Sequence, residues 1–511
     1  MSAAIPIANQ TIDVKPPEVR APLPTAAAGS DVTRAQFLNL FAAVFLPMFL
    51  AAVDQTLLAT ATPAIAATLG GLTDTSWIAV GYLLASAAVV PLYGRVGDLR
   101  GRREMLLLAV GVFSLGSLAC GIAQSLSQLV AARVVQGLGG GGLMTLSQAL
   151  IGELIEPRQR VRYQGYFAIV FTLASVAGPV LGGIVVSNLS WRWLFLVNLP
   201  LTAFAAWRLC KLPRGERHAG QAGTHDLPGI FLFAFGIVSG LYWMTSGGHH
   251  FAWVSAPSAA LVITSVLAVS ALVWRERAHA SPFLPVDLLR QKAILYSLIT
   301  TALFAACMFA MVFFLPIYLQ LGHRVSALHS GLLLLPLTAG MVIGSMSSGR
   351  RVARTGLAKW IPVYGMALSS LALLLLGVLA PNTILVAALG FGAGLGFGTV
   401  MPINQVVVQT VAGRSRLGAV TALVSLFRSI GAAAGAAVFG ALVYALMPAI
   451  DMSAFERSAT DIPARSIMHA FHVAFVVASV VAACAALAAS RVPGIRLWSK
   501  PDAAAAISKI S

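Results

Sequence analysis

Gly94-Arg95-Val96-Gly97-Asp98-Leu99-Arg100-Gly101-Arg102-Arg103 closes an apolar run that begins near residue 75. The frame returns in Gly349-Arg350-Arg351-Val352-Ala353-Arg354-Thr355-Gly356, whose outer glycines lie 255 residues beyond Gly94 and Gly101. The same offset carries Gly137, Gly139 and Gly141 onto Gly392, Gly394 and Gly396. Two basic loops at one offset, each following an apolar stretch, point to two copies of one unit. The stretches between the loops set the solvent: 58% of the 511 residues are hydrophobic and 10% charged, against about 25% charged in an ordinary globular domain. Apolar segments of about 20 residues, enough to cross about 30 Å of hydrocarbon as a helix, recur from Phe37 to Ser490. The expected fold class is an all-α integral membrane protein.

Fourteen spans are expected, at 37–59, 75–95, 105–124, 128–151, 165–187, 193–210, 228–246, 253–274, 294–320, 329–348, 360–380, 384–410, 417–446 and 469–489. The offset divides them into six, two and six. The expected organisation is a tail at 1–36, a six-helix bundle at 37–210, a linker with two additional helices at 211–292, a second six-helix bundle at 293–490 and a tail at 491–511. Parallel halves of this kind suit alternating access around a site near the membrane midplane.

A net charge of +17 in a soluble chain would suggest nucleic-acid binding, so the placement of the basic residues decides between readings. Of 34 Lys and Arg, 28 fall in the tails and the loops on one side; Arg192, Arg324, Arg457 and Arg465 lie on the other, and Arg133 and Arg428 within spans. The positive-inside rule then places both termini in the cytoplasm and argues against a nucleic-acid partner. No cleavable signal is expected ahead of the first span. Cys120, Cys210, Cys307 and Cys484 are isolated, the nine histidines are dispersed, and no Gly-x-x-x-x-Gly-Lys-Ser/Thr loop occurs. Neither a metal site, an enzyme, nor direct use of ATP is expected.

An intramembrane arginine costs about 2.5–3.5 kcal/mol on insertion scales and needs a partner. Arg133 lies in Leu129-Val130-Ala131-Ala132-Arg133-Val134-Val135-Gln136-Gly137, and Asp54 in span 1 is the only acid well inside any expected span. Counted along antiparallel helices, both fall in the outer half of the membrane. Burial raises a carboxyl pKa and a neighbouring arginine lowers it, so making and breaking this contact could let Asp54 carry a proton. A permanent structural ion pair is the alternative. Neither residue has a charged equivalent in the second half, where the offset lands on Phe309 and Ala388. Arg428 in span 13 is expected near enough to the cytoplasm to reach lipid phosphates.

Glycines in the 94–103 loop permit a tight turn and close helix contact, and Asp98 can accept hydrogen bonds from a helix amino-terminus. Together with the span 1 and span 4 motifs and Ala177-Gly178-Pro179-Val180-Leu181-Gly182-Gly183 in span 5, it resembles the major facilitator superfamily, specifically its fourteen-span drug:proton antiporter family. The resemblance covers about 37–490. It implies a latch at Gly94, Asp98, Gly101, Arg102 and Arg103, with Asp98 facing the start of span 13. It further implies an antiporter motif at Gly178, Pro179, Gly182 and Gly183, followed by Trp191-Arg192-Trp193, and hence export driven by the proton gradient with no cofactor.

Trp77, Tyr82, Cys307, Met308, Phe309, Phe313, Phe314 and Tyr318 are candidates to line a substrate cavity, with Gln405 and Gln409 as polar groups at depth. Such stripes serve helix packing more often than ligands. Span 10 lacks the extra acid with which some fourteen-span relatives recognise doubly charged cations, so small apolar or weakly charged compounds are the expected cargo. The expected location is a bacterial cytoplasmic (inner) membrane. A periplasmic adaptor and an outer-membrane channel stay open as partners. Proton-coupled import of a nutrient is the alternative function.

Overall fold

The computed structural model describes residues 34–69, 76–155, 165–212, 226–247, 251–278, 286–325, 327–379, 382–413, 416–446 and 464–494. No strand occurs among them. The main helices are α1 (Arg34–Leu69), α2 (Ser76–Arg100), α3 (Arg102–Ile122), α4 (Leu126–Leu154), α5 (Gly165–Asn188), α6 (Trp193–Cys210), α7 (Leu227–Ser246), α8 (Ala256–Ala278), α9 (Lys292–Gly322), α10 (His329–Thr355), α11 (Trp360–Val378), α12 (Thr383–Ala412), α13 (Leu417–Leu446) and α14 (Ala464–Ser490). Among the described residues twelve of them, α2–α4 and α6–α14, are long and apolar enough to cross a membrane. The expected fourteen spans also include α1 and α5, which both carry residues whose side chains lie outside the described set. Within α1 the apolar stretch is Phe41–Asp54. The expected terminal tails lie almost wholly outside the described residues.

Local sequence sets the ends. Ser125 caps α4 by accepting from the Gln128 amide at 3.3 Å, Asp226 caps α7 through Gly229 at 3.0 Å, and Asn382 caps α12 through Leu385 at 2.9 Å. Each satisfies an amide that the first helical turn leaves without an intrahelical acceptor. Gly356 ends α10 at φ 70°, a left-handed conformation that glycine adopts without steric cost. The helix α12 is two segments, Thr383–Phe397 and Val400–Ala412, joined through Gly398 and Thr399.

Lipid tails are as apolar as the side chains they replace, so helices associate here through close packing of small residues. Gly139 lies against the Phe113 backbone of α3 and Gly137 against Tyr82 of α2, so that α4 is held between both. In the same way Gly394 lies against Leu337 of α10, and Gly396 against Gly365 of α11. The helices α1–α6 pack on one another, as do α9–α14. These two halves meet where α2 and α4 pack on α13 and where α5 packs on α10. The linker helices α7 and α8 pair with each other, and α7 also contacts both α2 and α13, lying across the seam.

Contacts fix which helix ends share a face. Arg103 at the start of α3 donates to the carbonyls of Leu209 and Cys210 at the end of α6. At the other end, the Trp191 indole donates to Thr68 of α1 at 2.8 Å, and Arg192 to the Ala123 carbonyl after α3 at 2.9 Å. The first of these ends carries the basic loops and is termed the basic face below.

Candidate functional site

A charged cluster lies inside the first half. Asp54 and Arg133 are 3% and 1% exposed, and Arg133 Nη1 meets Asp54 Oδ2 at 2.5 Å. The same nitrogen donates to Gln136 Oε1 at 2.6 Å, while Arg133 Nε donates to the Ile78 carbonyl at 3.1 Å. Gln136 Nε2 in turn donates to Asp54 Oδ1 at 3.0 Å and to Ser117 Oγ at 2.8 Å, and Asn198 Nδ2 reaches Ser117 Oγ at 3.3 Å. The guanidinium lies 4.4 Å from the centroid of the Tyr82 ring. Residues of α1, α2, α3, α4 and α6 therefore converge on one ion pair. Desolvating two charges is repaid only when the remaining hydrogen-bonding positions are filled, and Gln136 fills one on each partner. Gln136 stood in the sequence beside Arg133; Ser117 and Asn198 carried no sequence signal.

A second cluster closes the basic face between the halves. Asp98 on α2 accepts from the amides of Gly418 at 2.8 Å and Ala419 at 2.9 Å, both in the first turn of α13. A carboxylate at a helix amino-terminus binds amides that lack intrahelical partners and gains from the helix dipole. Arg102 bridges Asp98 at 2.5 Å and Glu153 of α4 at 2.6 Å, which ties α2, α3 and α4 together beneath α13. Sequence reading missed Glu153, because an acid at the end of a span resembles any loop residue. A Cβ on Gly94 would stand 2.6 Å from the Gly418 carbonyl oxygen, so this approach of α2 to α13 requires glycine. Gly101 provides the turn at φ 104°. Arg103 takes a different place from the other loop residues: it caps the end of α6 within the first half.

Further into the bundle, Thr145 of α4 and Ser425 of α13 approach to 3.4 Å, and Arg428 Nη2 lies 3.7 Å from Met144 Sδ. Arg428 was expected near lipid phosphates at the cytoplasmic edge. It instead meets the opposite half, because its face of α13 is turned toward α4.

The remaining candidates disperse. Gly178 and Gly182 are buried on α5, which packs on α1 and α10; the surroundings of Pro179 and Gly183 lie outside the described set. Trp77 stacks on Tyr242 of α7 at 5.1 Å, and Tyr82 belongs to the charged cluster. Gln405 and Gln409, both 1% exposed, donate to Thr421 Oγ1 at 3.2 and 2.8 Å. Cys307 and Tyr318 are buried in the core of the second half, against which Met308, Phe309 and Phe314 pack. Phe313 is 56% exposed and pairs with Phe309 at 6.0 Å.

Comparison with known proteins places this architecture. The model of the Major Facilitator Superfamily matches residues 44–436. The chain is 33% identical over 408 residues to the multidrug transporter protein MdtP of Bacillus subtilis, covering 80% of this chain and 75% of that protein. It is 34% identical over 454 residues to an uncharacterised MFS-type transporter of Mycobacterium tuberculosis, covering 87% of this chain and 65% of that one. Among solved structures, the human organic anion transporter MFSD10 aligns with a TM-score of 0.59 at 16% identity, over 87% of this chain and 99% of that chain, which is a likeness of fold. With a family model spanning most of its length and relatives above 30% identity, the chain is a transporter of the major facilitator superfamily and not an enzyme.

Proposed function

We propose that this protein is a fourteen-span proton-coupled antiporter that exports small apolar or weakly charged compounds by alternating access. The observation that carries the reading is the buried Asp54–Arg133 pair in one half only. A protonated Asp54 loses its charge attraction to Arg133, and the guanidinium then keeps Gln136 and the Ile78 carbonyl as partners. Both groups are enclosed in this conformation, so proton exchange requires the surrounding helices to rearrange. That requirement links proton movement to the shape of the half.

The closed seam supports two-state behaviour. Asp98 holds the amino-terminus of α13, and opening the basic face must break those two hydrogen bonds. With the basic face in the cytoplasm, as the charge distribution supports, this conformation is closed to the cell interior. Efflux is supported by a relative whose name describes it, the efflux pump FUS6 of Gibberella fujikuroi at 29% identity, and Multidrug resistance protein 3 of Bacillus subtilis, also at 29%, is consistent with it. The bacterial cytoplasmic membrane and a proton gradient, with no bound cofactor, complete the proposal. The direction of flux is decided in vesicles of known orientation: an imposed inward proton gradient drives a screened cargo outward. Inward cargo movement with protons would make the protein a symporting importer.

A further inference from the structure

Arg133 is gripped by more than its carboxylate. Its guanidinium carbon lies 4.4 Å from the centroid of the Tyr82 ring on α2 and 5.8 Å from that of Phe195 on α6, both within reach of a cation–π contact. Tyr82 is 1% exposed and Phe195 2%, so both contacts are shielded from water and the stronger for it. The rings are themselves held. A Cβ on Gly140 would run into the Tyr82 ring and hydroxyl, and one on Gly137 into the Tyr82 backbone, so two glycines of α4 make the room in which this ring lies. Phe195 packs edge-to-face with Trp191 at 6.2 Å between centroids, and the Trp191 indole is tied to Thr68 of α1, the helix that carries Asp54.

The Tyr82 hydroxyl is buried and finds no hydrogen-bond partner among the described residues. A buried hydroxyl in that position weakens the fold, so what Tyr82 contributes to the cluster comes from its ring. The face of an aromatic ring carries negative potential, which attracts the guanidinium and repels the carboxylate paired with it. While Asp54 is ionised the two effects partly cancel. Once Asp54 takes a proton only the attraction is left, at the moment when the buried cation has lost its counter-charge. Its named hydrogen-bond acceptors are then Gln136 Oε1 and the Ile78 carbonyl, neither of them charged. Resting on the proton-coupling reading above, we propose that Tyr82, with Phe195 as a second ring, is a positioning residue that holds Arg133 in place while Asp54 is protonated. The guanidinium so held is ready to pair again when the carboxyl releases its proton, and the first half passes through the neutral state of Asp54 without a stray buried cation.

The test is a double-mutant cycle on the purified full chain in neutral detergent, at a mildly alkaline pH that favours an ionised carboxyl, read as thermal unfolding midpoints. Asp54→Asn reproduces the uncharged side chain. Tyr82→Leu removes the same packing in both backgrounds, and that shared loss cancels in the cycle. The account expects Tyr82→Leu to lower the midpoint more in the Asp54→Asn background than in the wild type, and Tyr82→Phe, which keeps the ring, to follow the wild type in both. Additive effects of Tyr82→Leu and Asp54→Asn would reduce Tyr82 to packing and overturn the proposal, as would a Tyr82→Phe that behaves like Tyr82→Leu. A double variant that fails to fold where each single variant folds is non-additive and supports it. Should Tyr82→Leu itself fail to fold, Phe195→Leu takes its place, with the same sign expected and the same additive result overturning the proposal. In liposomes under a proton gradient, Tyr82→Leu is expected to cut efflux about tenfold, the order that follows from one desolvated cation–π contact, and Tyr82→Phe to restore most of it. Undiminished efflux in Tyr82→Leu also overturns the proposal. Because the cycle is read without a gradient, the two readings fail separately. A non-additive cycle with no proton-driven efflux would sink export and leave the aromatic seat of Arg133 standing, whereas an additive cycle with efflux that needs Asp54 would do the reverse.

Discussion

At the scale of single residues, the Asp54–Arg133 pair behaves differently under two kinds of substitution. Asp54→Asn keeps the shape and much of the hydrogen bonding but cannot carry a proton, so membrane insertion and cargo binding persist while proton-driven efflux is lost; reconstituted flux checks this. Arg133→Ala leaves a buried carboxylate without its cation and is expected to cost about 3–5 kcal/mol of stability, read as a lower thermal unfolding midpoint in detergent. The basic loop separates in the same way. Asp98→Asn weakens the grip on α13, whereas Arg103→Ala loses only a cap on α6. Efflux is therefore expected to fall far more in Asp98→Asn, and comparable loss in both would place Arg103 in the latch after all. The charged pair was legible in the sequence because an ion in hydrocarbon advertises its need for a partner. Glu153, Ser117 and Asn198 were not, since polar residues at span ends or small hydroxyls satisfied within a helix are common everywhere.

At the scale of elements, the approach of α2 to α13 depends on atoms that are absent. A Cβ on Gly418 would meet the Gly94 carbonyl oxygen and Asp98 Oδ1. Gly418→Val is accordingly expected to hold the basic face open, raising the labelling of single cysteines placed in α13 by a reagent confined to that side. Unchanged labelling would mean that the seam tolerates the added bulk. Hydropathy located the helices, because a bilayer demands length and apolarity of each. It could not pair them, since a lipid-facing side and a helix-facing side are both apolar. The position of α7 across α2 and α13, with Trp77 stacked on Tyr242, was for that reason invisible, and Trp77 read as a cavity residue. The interruption of α12 at Gly398 and Thr399 was hidden by the many other glycines around it.

At the scale of the whole molecule, the 255-residue offset points to two related halves, and among the described residues the buried Asp54–Arg133 pair lies in the first of them. In the proposed cycle, symmetry supplies the motion and asymmetry supplies the coupling. The most direct test reconstitutes the chain in liposomes of defined orientation, imposes a proton gradient with the basic face on the less acidic side, and follows a fluorescent cargo in parallel with internal pH. The account predicts that cargo moves away from the basic face as protons move toward it, that both fluxes need the gradient, and that both vanish in Asp54→Asn. Coupled movement that persists undiminished in Asp54→Asn, or cargo that travels in the same direction as protons, would contradict it.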